Sequence, residues 1–153
     1  MGKFRFSSRS LSRMAGVHSD LVAVMQRAIE LTEVDFGITE GLRTAERQKE
    51  LVRTGASKTM NSRHLTGHAV DVVAYIGKDV RWDLGLYYKI AEAVRTASVE
   101  LHTPVVWGAC WSILGQTDDL DAAVADYVAR KKRQGGRALV DGPHFELWRG
   151  LYT

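Results

Sequence analysis

Leu21, Met25, Ala28, Ile29 and Thr32 fall on one face of a helix, and Ser19 ahead of them is a candidate N-cap. The spacing predicts a first helix from about Ser19 to Glu33. The next segment, DFGITEGL, alternates Phe36, Ile38, Glu40 and Leu42, the two-residue period of a strand. Thr44 is placed to cap a second helix, TAERQKELVRTG, which stops at Gly55. SKTMNSRHLTG is polar and irregular and reads as a loop. It feeds HAVDVVAYI, whose β-branched residues predict a core strand. Tyr87, Ile90, Ala91, Val94 and Ser98 mark a third helix ending near Leu101. TPVVWG and PHFELW read as short strands. Between them TDDLDAAVADYVARKKRQGG, acidic first and basic last, suits a helix and its dipole.

Helices that interleave with short strands give an α+β class: a small, mainly antiparallel sheet with helices packed against it. No repeat, low-complexity tract or long linker divides the chain, so residues 1–153 are expected to form a single domain without a separate binding domain. With 45% hydrophobic and 25% charged residues, the chain has the composition of an ordinary globular protein. Its formal charge of +3 is too mild for a dedicated nucleic-acid binder, though it suits an anionic partner such as a cell-wall polymer. Cys110 is the only cysteine, which excludes an intrachain disulfide and a cysteine-based zinc cage. The basic, polar start MGKFRFSSRSLSRMAG lacks the apolar core of a signal peptide, and no apolar run is long enough to suggest stable membrane insertion. Synthesis in the cytoplasm is expected.

Two stretches carry candidate chemistry. SRHLTGHAVDVVAY holds two histidines, an aspartate and a glycine just ahead of β-formers, and VDGPHFELW holds a histidine with an aspartate three residues before it. A catalytic zinc needs three protein ligands and an open position for water. His64, Asp71 and His144 can supply that set, with Gly67 allowing the tight turn that brings the first two together. His144 begins a strand expected to lie beside the one that carries Asp71. Asp141 would then sit near the metal, placed to take a proton from water and pass it to a leaving amine. His64 and His68 are four apart, like the helical pair of H-E-x-x-H, but no glutamate follows His64 and Gly67 argues against a helix. His68 therefore reads as a pocket-rim residue, and His18 and His102 as ordinary residues at helix termini.

SRHLTGHAVDV matches the S-x-H-x-x-G-x-A-x-D pattern of the zinc peptidases that include D-alanyl-D-alanine dipeptidases, D-alanyl-D-alanine carboxypeptidases and phage L-alanyl-D-glutamate endopeptidases. DGPHFEL resembles their second motif. GLRTAERQ resembles the segment in which they carry a functional arginine, and VVWGACW the strand-and-tryptophan segment of the endopeptidases. The order of all four agrees over nearly the whole chain. The resemblance implies the D-Ala-D-Ala peptidase/hedgehog-like zinc peptidase fold in a monomer, with one zinc on His64, Asp71 and His144 and with Asp141 as general base. It implies that Arg43 stabilises an oxyanion or holds a substrate carbonyl, for which the plainer alternative is a salt bridge to a nearby acid. Ser62 matches the motif's serine, as a substrate contact or a structural hydrogen bond.

Two features depart from the pattern. Cys110 stands where an aspartate often precedes the second tryptophan, and its plain reading is a small buried residue. The stretch between Trp111 and Asp141 is long, and its helix reads by default as a solvated one. TDDLD invites a calcium ion, but an acidic helix start accounts for it. By resemblance the leading expectation is an endolysin that cuts the L-alanyl-D-glutamate bond of the peptidoglycan stem peptide, released from the host cytoplasm to act on periplasmic peptidoglycan. Asp141, where the dipeptidases use a glutamate, and the GITEGLRT and WGACW surroundings favour it. The alternatives are a D-alanyl-D-alanine dipeptidase or carboxypeptidase, and a non-catalytic wall-binding module with structural zinc.

Overall fold

The computed structural model describes residues 2–153. Its elements begin with α1 (Ser8–Arg13), α2 (Ser19–Leu31), β1 (Asp35–Glu40) and α3 (Ala45–Arg53). A 3-10 turn at Arg63–Thr66 leads into β2 (Ala69–Ile76), β3 (Asp79–Arg81) and α4 (Leu84–Glu100). β4 (Val105–Trp107), β5 (Ser112–Ile113), α5 (Leu120–Arg133) and β6 (His144–Leu147) complete the chain. The strands form one antiparallel sheet in the order β1-β2-β6-β4-β5, with β3 paired to the far end of β2. This is the α+β architecture that the residue pattern predicts.

Alternate residues of the strands are sorted between two faces. Val70, Val72 and Ala74 of β2, Phe145 and Leu147 of β6, and Val105 and Trp107 of β4 belong to one apolar cluster. Leu21, Val24, Met25, Ala28 and Ile29 of α2 and Tyr87, Ile90, Ala91, Val94 and Ala97 of α4 pack into the same cluster. Each large side chain sealed there contributes roughly 1.5–3 kcal/mol. Cys110 lies in the same cluster, where burial pushes its thiol pKa up; it is a small core residue.

Several boundaries differ from the sequence pattern, each for a local reason. The N-cap of α2 is His18 rather than Ser19: the His18 Nδ1 accepts the Asp20 N–H at 3.1 Å. The same helix ends at Leu31, because the Thr32 hydroxyl bonds both the N–H and the carbonyl of Val34 and holds that segment extended. β1 stops at Glu40 after a register shift between Ile38 and Glu40, which leaves Leu42 outside the alternation and exposed. Thr44 caps α3 as expected, and Asp119 caps α5 by accepting the Ala122 N–H.

Helix α1 was not foreseen. Ser10 accepts the Ile38 N–H at 3.0 Å and Arg13 donates to the Ile38 carbonyl at 3.0 Å. Two side chains thus take the place of a neighbouring strand at Ile38, where the β1 edge would otherwise be open to another chain.

Candidate metal centre

The antiparallel register of β2 and β6 sets Asp71 directly opposite His144. His64 reaches them from the 3-10 turn. Ser62 caps this turn by accepting the His64 N–H at 3.2 Å, and Gly67 closes it in the left-handed conformation at φ 75°. A Cβ on Gly67 would run into the Gly16 carbonyl, so glycine is required there on two counts.

His144 Nδ1 lies 3.1 Å from Asp71 Oδ1 and His64 Nε2 lies 3.2 Å from Asp71 Oδ2. The ligand atoms of the three residues all fall within 4.8 Å of one another, so the group can hold a metal ion. Each ring's other nitrogen is already engaged. His64 Nδ1 donates to the Gly41 carbonyl at 2.8 Å, and His144 Nε2 donates to Glu146 Oε1 at 2.9 Å. His64 Nε2 is buried and, despite its closeness to Asp71, lacks a hydrogen-bond partner. An orphaned imidazole nitrogen facing a carboxylate and a second imidazole is a donor set suited to zinc.

The charges are strongly coupled. Burial alone would raise the Asp71 pKa, but His144 and His64 outweigh it and hold the carboxyl well below its usual range. Burial would lower His144, but the Asp71 and Glu146 carboxylates raise it to about 9. Without metal, His144 therefore carries a proton at neutral pH.

Arg43 approaches the same Asp71 oxygen as His64, its Nη2 3.8 Å from Oδ2. Its guanidinium is held by a two-point pair with Glu40, at 2.6 and 2.9 Å, and donates to Gln48 at 2.7 Å and to Ser62 at 3.5 Å. The salt bridge to a nearby acid is thus present, and it fixes the guanidinium beside the cluster. Gln48, fully buried, passes its own N–H groups to Ser57 and to the Thr59 carbonyl and so ties α3 to the loop before Ser62. The Arg43 N–H bonds the His64 carbonyl at 2.9 Å.

Asp141 belongs to a loop clamped by the WGACW segment. The Gly108 carbonyl accepts the Asp141 N–H at 2.9 Å, the Gly108 N–H donates to the His144 backbone carbonyl at 2.8 Å, and Trp107 Nε1 donates to the Gly142 carbonyl at 2.7 Å. Burial raises the Asp141 pKa; His144 pulls it down, and the Asp71 charge pushes it up again. Trp111 sits at φ 56°, unusual for so bulky a residue, with its ring centroid 5.4 Å from that of His144 and its Nε1 bonded to the Leu139 carbonyl.

Of the residues singled out in the sequence, His64, Asp71 and His144 come together, with Arg43, Ser62 and Asp141 around them. His68 lies apart from that group, bonded to the Thr66 hydroxyl at 2.6 Å with its ring 5.8 Å from that of His18. Sequence reasoning missed Glu40, Gln48 and Glu146. The signals for two of them were present: Glu146 follows His144 by two residues on one strand face, and Glu40 precedes Arg43 by three.

Fold and donor set together define a small α+β protein with a candidate metal centre. The chain belongs to the phage L-alanyl-D-glutamate peptidase family, whose model matches residues 1–148, and it is a peptidase. It is 32% identical over 148 residues to the L-alanyl-D-glutamate peptidase of Escherichia phage T5, a match covering 94% of this chain and 98% of that protein. It is 31% identical over 110 residues to the L-alanyl-D-glutamate peptidase of Listeria phage A118; there the match covers 70% of this chain but only 38% of the longer relative. The crystal structure of Serratia marcescens L-Ala D-Glu endopeptidase ChiX is similar at a TM-score of 0.75 and 41% identity, covering 98% of this chain and 94% of that one. Among the described residues, no helix is long and apolar enough to cross a membrane.

Proposed function

We propose that this chain is a zinc-dependent peptidoglycan hydrolase that cuts the amide bond between L-alanine and D-glutamate in the stem peptide. The observation that carries the reading is the His64–Asp71–His144 group, with the buried His64 Nε2 lacking a hydrogen-bond partner. The names of the three relatives support the choice of bond.

His64 Nε2, His144 Nδ1 and the Asp71 carboxylate would hold one zinc per chain. When bound, such an ion lowers the pKa of a water and polarises a carbonyl, the two requirements for amide hydrolysis at neutral pH. Asp141 accepts the proton that the attacking water gives up and delivers it to the departing D-glutamate nitrogen. Its raised pKa suits a group that must both take and return a proton. Arg43, locked by Glu40 and Gln48, sets a fixed positive charge where negative charge develops on the carbonyl oxygen. Ser62 shapes the turn that presents His64, and His68 stands at the rim.

An internal L-alanyl-D-glutamate bond has chain on both sides, so the cleft must accept peptide at both ends. A D-alanyl-D-alanine dipeptidase would instead need charges to clamp a free amine and a free carboxylate. Residues 1–153 act as one catalytic unit in this reading, made in the host cytoplasm and working on periplasmic peptidoglycan after release. Digestion of purified peptidoglycan followed by mass spectrometry of the new termini tests it. A new D-glutamate amino terminus is expected, with free D-alanyl-D-alanine left intact. Release of free D-alanine from the dipeptide, with the stems uncut, would move the chain to the D-alanyl-D-alanine dipeptidase or carboxypeptidase class.

A further inference from the structure

Arg63 and His64 are consecutive in the 3-10 turn but reach different partners. His64 belongs to the metal centre. Arg63, only 7% exposed, donates from Nη2 to the Leu147 carbonyl at 3.0 Å and to the Tyr152 carbonyl at 2.8 Å. Its Nε is buried without a hydrogen bond and lies 3.8 Å from Glu146 Oε2. The other oxygen of the same carboxylate, Oε1, is the atom 2.9 Å from His144 Nε2. Glu146 is therefore held between a buried guanidinium and the imidazole of a candidate ligand.

We propose that Glu146 is the positioning residue for His144, and that Arg63 fixes the Glu146 carboxylate, so that one tight turn supplies the ligand His64 and anchors the support of the ligand His144. The inference rests on the zinc reading given above and deepens it. A ring that must present Nδ1 to a metal has to keep its proton on Nε2 and its plane fixed, and an acceptor on Nε2 does both. For His64 the Gly41 backbone carbonyl plays this part. For His144 it falls to a side chain two residues along the same rigid strand, which mutation can remove.

A purely structural alternative exists, in which Glu146 only neutralises Arg63 while Arg63 ties down residues 147–152. The two are separated by measuring zinc affinity against a chromophoric chelator alongside thermal unfolding of the metal-free protein. The variants are Glu146→Ala, Glu146→Gln and Arg63→Met, compared with the unaltered chain. Glu146→Ala should weaken zinc by roughly 10–100-fold, the usual cost of losing a support of this kind. Glu146→Gln, whose amide oxygen can still accept from Nε2, should recover most of that loss. The visible spectrum of the cobalt-substituted protein should change in Glu146→Ala and return towards the original in Glu146→Gln. Arg63→Met should also weaken zinc, and it serves as the test if Glu146→Ala fails to fold. Unchanged zinc affinity in folded Glu146→Ala, or in Arg63→Met, would overturn the inference while leaving the zinc reading intact. If the unaltered chain itself binds no zinc, the zinc reading falls first and this inference with it.

Discussion

Along β6, Phe145 and Leu147 are sealed in the apolar core, whereas His144 and Glu146, the residues between and beside them, carry charge and hydrogen bonds at the candidate metal centre. The neighbouring β2 divides in the same way, Val70 and Val72 going to the core and Asp71 to the centre. The apolar face holds the fold together. The polar face contributes little stability of its own, because its buried charges offset their desolvation mainly by pairing with each other. Removing one charged partner leaves the others uncompensated, so the two faces hold different kinds of stability: apolar area buried on one, charge balance on the other.

The sharpest break of that comparison is removal of a ligand. His64→Ala or His144→Ala should take zinc from near one per chain to almost none and abolish lysis, read by metal analysis and turbidity. Loss of zinc in His68→Ala with retention in His64→Ala would refute the ligand assignment. Phe145→Ala, on the other face, should destabilise the metal-free protein by about 3–5 kcal/mol in denaturant unfolding. His144→Ala, one position away, removes the partner shared by the Asp71 and Glu146 carboxylates and should also destabilise the metal-free protein, but by a loss that shrinks as pH rises towards about 9. The Phe145→Ala loss should not follow pH in this way; the same pH dependence in both would erase the distinction between the faces.

A smaller effect is expected where chemistry is removed but metal is kept. Asp141→Ala should retain zinc and fold, with activity lowered by roughly 10²–10⁴-fold. Arg43→Ala should also retain zinc and lower activity by an amount within the same span, about 2.7–4 kcal/mol in the barrier. Near-normal lysis by the Asp141 variant would remove it from the role of base.

The finest test concerns protons. His144 is raised to about 9 without metal and must be deprotonated to bind one. Zinc binding near neutral pH should therefore release about one proton from this residue, seen by calorimetry in buffers of different ionisation enthalpy. The sign follows directly: acid favours the protonated, metal-free form, so affinity should climb by about tenfold per pH unit and level off above about 9. A flat profile between neutrality and that point would show that His144 is already neutral in the metal-free protein.

How much of this was legible in the sequence depends on what each residue reports. His64, Asp71 and His144 stood out because their motifs are local and their residue types are chemically distinctive. The main helices and strands followed from periodicity. Helix α1 was hidden, since its short polar run has no amphipathic period and acquires meaning only against the β1 edge. Gln48 was hidden for a related reason, since a support is defined by what it touches; Glu40 and Glu146 had a local spacing to Arg43 and His144, but only the folded contacts give that spacing a meaning. His18 shows the same limit, since a histidine that accepts from Asp20 is outside the usual cap preferences.

The pairing of Asp71 with His144 joins residues 73 positions apart. During synthesis the segment with His64 and Asp71 emerges well before the one with Asp141 and His144, and β2 lacks β6 in the interval. Until then a nascent chain holds two of the three candidate donors and lacks both His144 and Asp141, too few to retain a metal in working geometry. Under the zinc reading, a hydrolase built in this order lacks its full donor set until β6 pairs with β2, the pairing of greatest sequence separation in its sheet.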